Sequence, residues 1–263
     1  MEKKAEKILS KCMYADRETN ISRWLILMTS QKLGAVIFSR YDSQRLPGKA
    51  LLSVQNNTLL GIVVDRCKLV LGVEDVIVAT TSRDVDDKIV RYCEQKGVKV
   101  YRGATDNLII RSIGVCRDFG LDGLVRVCGD RPFLDPKMIS DCVSLYSKDN
   151  TVDLLSNNLD GSVVPGLTVE ILSYRALQKL NKLVVNEADK EHLTKYIYEN
   201  QSRFEIVEFG LPRYIKNSTA GLVVDTQNDL EKINWIYSYL EDNTVDIYDT
   251  HKVVGLAERW EEQ

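Results

Sequence analysis

Arg40, Arg45 and Lys49 share the stretch R-Y-D-S-Q-R-L-P-G-K, directly after a short apolar run, Ala35–Phe38. Three fixed positive charges on one loop after a strand suit a polyphosphate. Arginine offers planar forked donors and lysine a compact charge. Ser43 adds a hydroxyl, and Gly48 lets backbone amides approach a ligand closely. The spacing is neither the phosphate-loop pattern G-x-x-x-x-G-K-[ST] nor a dinucleotide fingerprint. Taken alone, these residues are also compatible with a basic turn facing solvent.

A polyphosphate needs a counter-ion, and two aspartates are placed to hold one. Asp130 lies in V-R-V-C-G-D-R-P-F-L-D-P, Val125 to Pro136, and Asp225 in G-L-V-V-D-T-Q-N-D-L, Gly221 to Leu230. Each follows an apolar run that reads as a strand. A carboxylate at the carboxyl edge of a sheet can hold Mg²⁺ against phosphates, because that ion takes one or two carboxylates plus substrate oxygens and water. Asp135, before Pro136, reads as a helix cap. Asp130 lies too far upstream for that role. Strand-end aspartates are common, so Asp225 alone is a weak signal.

The elements that must position these residues alternate. Ala35–Phe38, Glu74–Thr80, Val98–Tyr101 and Leu124–Cys128 read as strands, and Leu60–Leu71, Val85–Lys96 and Leu108–Phe119 as helices. A further helix opens at Asp135–Pro136. This βαβ order predicts an α/β fold with a mostly parallel sheet and helices on both faces. Ligands of such sheets bind beyond the carboxyl ends of the strands. The loops Ser39–Lys49, Thr80–Asp87, Arg102–Asp106 and Gly129–Asp135 are therefore expected on one rim. Beyond residue 150 the pattern loosens. Asp153–Leu155 and Leu167–Leu172 lie among turn residues. Asn186–Arg203 reads as one helix and Phe204–Phe209 as a strand. Gly221–Val224 reads as a strand into Asp225, and Asp229 as the cap of a closing helix, Leu230–Leu240. Residues 1–30 read as an added helical segment before a single domain, 31–263.

Bulk composition narrows the classes. A net charge of −3 on 263 residues leaves no large nucleic-acid footprint, so the basic loop points to a small anion. Six cysteines show no C-x-x-C pair, which favours free thiols in a reducing compartment and gives no zinc site. The apolar run Trp24 to Met28 is too short to span a membrane or form a signal core. No membrane association and a cytoplasmic setting are expected.

In order along the chain, these motifs resemble the sugar-activating cytidylyltransferases. That group includes the CMP-Kdo synthetases and acylneuraminate cytidylyltransferases, and the nearest likeness is to the spore coat polysaccharide biosynthesis protein F family. The likeness rests on Arg40 to Lys49, V-A-T-T at Val78 to Thr81, D-D-K-I at Asp86 to Ile89 and R-G-A-T-D-N-L at Arg102 to Leu108. It continues through Val125 to Pro136, E-H-L-T-K-Y-I-Y at Glu191 to Tyr198 and V-D-T-Q-N-D-L-E at Val224 to Glu231.

The resemblance implies a GT-A-like, Rossmann-like nucleotidyltransferase sheet and transfer of CMP from CTP to an anionic sugar or related acid. Pyrophosphate would leave, and the product would serve surface polysaccharide or glycoconjugate precursor synthesis. It implies that Arg40, Arg45 and Lys49 bind the nucleotide's phosphates, with Arg40 and Lys49 stabilising charge in the reaction, and that Ser39 and Ser43 also bind the nucleotide. Thr80, Thr81 and Ser82 would lie near base and ribose, and Asp106 would bind the nucleotide. Asp130 and Asp225 would bind Mg²⁺, and His192 and Tyr196 would face the acceptor. It further implies a homodimer, with acceptor and dimer contacts from about 150–215. The chain departs from the family pattern at Ser39, Tyr41-Asp42, Asp106-Asn107, Cys128 and Arg131. Two alternatives are a nucleotide-sugar glycosyltransferase and a catalytically silent binding subunit. The first usually carries D-x-D where this chain has Gly129-Asp130-Arg131, and intact Arg40, Lys49, Asp130 and Asp225 disfavour the second.

Overall fold

The structure is a computed structural model that describes residues 31–262 apart from 213, 214, 217 and 219. The helix expected over residues 1–30 lies outside the described residues. Strand β1 (Leu33–Phe38) is buried along its whole length, as expected of a strand covered on both faces. Val36 and Phe38 enter one core cluster, Ala35 and Ile37 the other. A small hairpin of β2 (Ser53–Val54) and β3 (Asn57–Thr58) leads into helix α1 (Leu59–Cys67), which Thr58 caps through Gly61 N–H. Then come β4 (Asp75–Thr81), α2 (Asp87–Gln95), β5 (Lys99–Gly103), α3 (Leu108–Phe119), β6 (Gly123–Cys128) and α4 (Pro136–Tyr146).

The main sheet has the order β5-β4-β1-β6-β8-β7-β9, where β7 is Leu154–Ser156, β8 Glu170–Ser173 and β9 Ile206–Glu208. β5, β4, β1 and β6 run parallel, so the loops that follow them share one rim, as expected. β8 runs antiparallel to β6 and β7, and β9 parallel to β7.

Local chemistry sets several boundaries. Asn107 caps α3 by accepting from Ile110 N–H at 2.9 Å, which leaves Asp106 free to face the rim. Asp135 caps α4 through Met138 N–H at 3.0 Å, with Pro136 in the first turn. The expected single helix over Asn186–Arg203 is instead two short helices, α6 (Glu187–Lys190) and α7 (Lys195–Glu199), and a 3₁₀ turn. Between them His192 N–H bonds Asp189 C=O and Lys195 N–H bonds His192 C=O, three-residue spacings that tighten the chain out of α geometry.

Gly221–Val224 is not a strand. Leu222 N–H bonds Pro165 C=O and Val224 N–H bonds Asp130 C=O, two loop partners in place of a ladder. The final helices differ as well. Thr226, not Asp229, caps α8 (Gln227–Asp242); Asp229 sits in the first turn and completes a capping box. Two helices not anticipated, α5 (Tyr174–Leu183) and α9 (Thr250–Glu261), cover the core. Cys67, Cys93, Cys116, Cys128 and Cys142 are free thiols.

Candidate active site

The rim encloses an open cleft of about 710 Å³. Ser39, Arg40, Ser43, Arg45 and Lys49 line it from the loop after β1, and Asp106 from the loop after β5. Asp130, Asp225 and His192 line it too. Nine of the thirteen candidate residues are thus brought to one cavity.

The basic loop is folded around Gly48. Its φ of 73° is left-handed, and a Cβ there would stand 3.0 Å from the Tyr41 hydroxyl. Gly48 N–H bonds Tyr41 C=O at 2.8 Å, and Lys88 Nζ lies 4.3 Å from the Tyr41 ring centre. Tyr41 N–H in turn donates to Asp86 Oδ1 at 2.7 Å. Asp86 is fully buried and also accepts from the Thr81 hydroxyl. A carboxylate under β4 therefore ties down the loop after β1. Gly129 lets the loops after β1 and β6 approach, since a Cβ there would meet Ser39 Cβ at 2.9 Å.

The turn at Gly48 sends Lys49 across the cleft. Its Nζ lies 2.8 Å from Asp130 Oδ2, 2.8 Å from Asp225 Oδ1 and 2.8 Å from Val224 C=O. Arg45 reaches the other Asp225 oxygen at 2.8 Å. Burial alone would lower the Lys49 pKa, but Asp130 and Asp225 outweigh it and hold the ammonium above its ordinary value. Asp225 is fixed from behind, its N–H donating to Asp229 Oδ2 at 3.0 Å.

Across the cleft stand two cations that the sequence reading missed. Arg83 forks onto Asp42, with Nη2 to Oδ1 at 2.7 Å, and this bond is the leading cause that holds the Asp42 carboxyl below its usual range. Arg111 is buried and spends its donors on Ala104 C=O at 2.8 Å and Thr105 C=O at 2.7 Å. Burial, then the like charge of Arg40, brings its pKa down to about 10. An arginine three residues after Leu108, on the inward stripe of an amphipathic helix, was the available signal for Arg111. For Arg83 it was a cation directly after V-A-T-T-S.

Thr80, Thr81 and Ser82 do not line the cleft. Thr80 and Thr81 are fully buried, and Ser82 is exposed with its N–H on Gly103 C=O. Tyr196 also faces away. Its ring meets Phe204 edge-on at 6.4 Å, and its hydroxyl accepts from Arg203 Nη1 at 3.0 Å. Arg131 turns out of the cleft to bond Thr168 C=O at 3.0 Å, whereas Asp42 lines the cavity.

The comparisons agree with this fold. A cytidylyltransferase family model matches residues 35–252, and the chain belongs to that family. It is 25% identical to the spore coat polysaccharide biosynthesis protein SpsF of Bacillus subtilis, over 77% of this chain and 85% of that one. A solved cytidylyltransferase from Leptospira borgpetersenii superposes with a TM-score of 0.78 at 30% identity, covering 88% of this chain and 94% of that one. A CMP-2-keto-3-deoxy-manno-octonic acid synthetase solved with CTP shares the fold, with a TM-score of 0.60 at 19% identity, covering 79% and 99%. The chain is thus a nucleotidyltransferase by family, and the glycosyltransferase alternative falls away.

Proposed function

We propose that the protein transfers CMP from CTP to an anionic sugar or related acid and releases pyrophosphate. The observation that carries this reading is the convergence of Lys49, Arg45, Asp130 and Asp225 on one point of the cleft. The two carboxylates fit a divalent ion. Their oxygens already meet at one cationic centre, and among the described residues no larger acidic or histidine cluster competes. Two carboxylates with phosphate oxygens and water suit Mg²⁺. Bound there, the ion would neutralise phosphate charge and orient the triphosphate.

The chain's own residues do the rest. Arg40, Arg45 and Lys49 supply fixed positive charge where negative charge grows on the α-phosphoryl oxygens. An acceptor oxygen attacks the α-phosphorus in line and forms the new P–O bond. The bond to the α,β-bridging oxygen breaks, and pyrophosphate leaves with that electron pair. No covalent protein nucleophile is required. Arg83, Asp106 and Arg111 frame the base and ribose end, and Glu191 and His192 bring the 150–215 region to the acceptor side. A homodimer through that region and a cytoplasmic setting belong to the same proposal; the five free thiols among the described residues support a reducing compartment.

The test is pyrophosphate release from purified protein with Mg²⁺, each of the four nucleoside triphosphates and a panel of sugar acids. Release with CTP and one acid supports the proposal. Release with another triphosphate in preference to CTP overturns it.

A further inference from the structure

The Lys49 ammonium has three hydrogens, and three oxygens stand 2.8 Å from it: Asp130 Oδ2, Asp225 Oδ1 and Val224 C=O. Every donor is spent, so none is left for a phosphate while this arrangement lasts. The side chain is only 14% exposed. Two carboxylates held this close repel one another unless a cation stands between them. Arg45 occupies the remaining face of Asp225 at 2.8 Å. Lys49 and Arg45 are therefore committed to the same carboxylates that the proposed function gives to a metal.

We propose that Lys49 is an internal cation that reserves the metal position in the nucleotide-free protein. Its ammonium stands where Asp130 and Asp225 would otherwise take a divalent ion, and it yields that position when a triphosphate offers it new oxygens. A divalent ion arriving alone must displace an ammonium that then loses three bonds. That ammonium would turn into a cleft already lined by Arg40, Arg83 and Arg111. A divalent ion arriving with a triphosphate meets no such opposition, because the phosphates take up Lys49 and Arg45 as they leave the carboxylates. The site is thus selective for a metal–nucleotide complex over free metal, and the coupling is reciprocal, as any linkage of two ligands must be. The inference rests on the reading of Asp130 and Asp225 as metal ligands. The plain structural alternative is a staple, in which Lys49 only fastens the loop after β1 to the loop after β6.

The experiment is Mn²⁺ binding followed by electron paramagnetic resonance, with circular dichroism to verify folding. Wild type, Lys49→Met, Lys49→Gln and Lys49→Met/Asp225→Asn are titrated without nucleotide, then with α,β-methylene-CTP. The expected result is at least tenfold tighter Mn²⁺ binding by folded Lys49→Met or Lys49→Gln without nucleotide. In the double variant that gain is lost. In wild type the CTP analogue and Mn²⁺ each tighten the other's binding by at least tenfold, and most of that coupling disappears in the single variants. Mn²⁺ binding by both folded single variants no tighter than wild type overturns the inference. So does a gain that survives Asp225→Asn. If wild type still forms the ternary complex, only the inference falls. If wild type forms no ternary complex, the metal role of the two aspartates falls with it.

Discussion

Val224 donates its backbone N–H to the carbonyl of Asp130 at 3.0 Å, and this bond sets Asp225 beside Asp130. The two carboxylates come from distant parts of the chain, yet each lies 2.8 Å from the same lysine nitrogen. Neither needs a strand for this. Asp130 follows β6, while Asp225 ends an irregular segment held by one bond to the loop after β6 and one to the α8 capping box.

Asp130→Asn keeps the side chain's shape and removes its charge. If Asp130 holds the metal as proposed, its loss should cost at least the 10–100-fold typical of losing an outer-shell partner. We expect turnover to fall by more than about 100-fold while the circular dichroism spectrum is unchanged. Full activity would remove Asp130 from the site.

Gly48→Ala puts a Cβ at a φ of 73° and 3.0 Å from the Tyr41 hydroxyl. The left-handed conformation alone costs roughly 1–2 kcal/mol for a residue with a side chain. Thermal denaturation should show a loss of about that size, and KM for CTP should rise because Lys49 follows directly in the turn. An unchanged KM would mean that the loop tolerates a shift at this position.

Arg111→Lys tests the fork. A lysine cannot reproduce the geometry that serves Ala104 C=O and Thr105 C=O together. We expect KM for CTP to rise by about tenfold or more, since one net hydrogen bond to a charged group is worth roughly 1.5–3 kcal/mol. Isothermal titration with CTP measures it directly, and unchanged affinity would limit Arg111 to a structural role.

Arg126 and Glu170 face each other across β6 and β8, and the Tyr198 hydroxyl donates to Glu170 Oε1 at 2.5 Å. Burial pushes the Glu170 pKa up, but Arg126 and then Tyr198 outweigh it, leaving the pKa below the ordinary carboxylate value of 4.5. The folded value is the lower one, so the stabilisation is complete above the unfolded value and is lost as pH falls through the folded one. Wild type should lose stability as pH drops below about 4.5, and Glu170→Gln should flatten that part of the profile. Arg126→Met leaves a buried carboxylate unpaired and should cost about 3–5 kcal/mol at neutral pH. Urea unfolding across pH measures both.

Much of this was legible in the sequence where one signal sufficed. The strands β1, β4, β5 and β6 are apolar runs buried on both faces, and their order fixed a parallel sheet and one functional rim. The basic loop and Asp130 sat at its edge for that reason. What the sequence hid depended on contacts between distant segments. Asp225 reads as a strand end, yet its place comes from Pro165 and Asp130 carbonyls far along the chain. Thr80 and Thr81 follow the apolar run of β4 side by side, and because neighbours on a strand point to opposite faces, only cover on both faces of β4 buries them both, leaving Arg83 at the rim. Tyr196 shares a motif with His192, but the tightened turns between α6 and α7 send the two in different directions. The helices α5 and α9 carry inward stripes, Ala176, Leu177 and Leu180 in one, Val253, Val254 and Ala257 in the other, that periodicity alone could have shown.

Asp130 and Asp225 are proposed to hold a divalent ion against the phosphates of CTP while Lys49 turns to those phosphates. A crystal grown with α,β-methylene-CTP and Mn²⁺ tests it most directly. The expected result is one anomalous peak bonded to oxygens of both aspartates and of the triphosphate, with Lys49 Nζ on a phosphate oxygen. An anomalous peak elsewhere, or Lys49 still bound between the two carboxylates with the nucleotide in place, would contradict it.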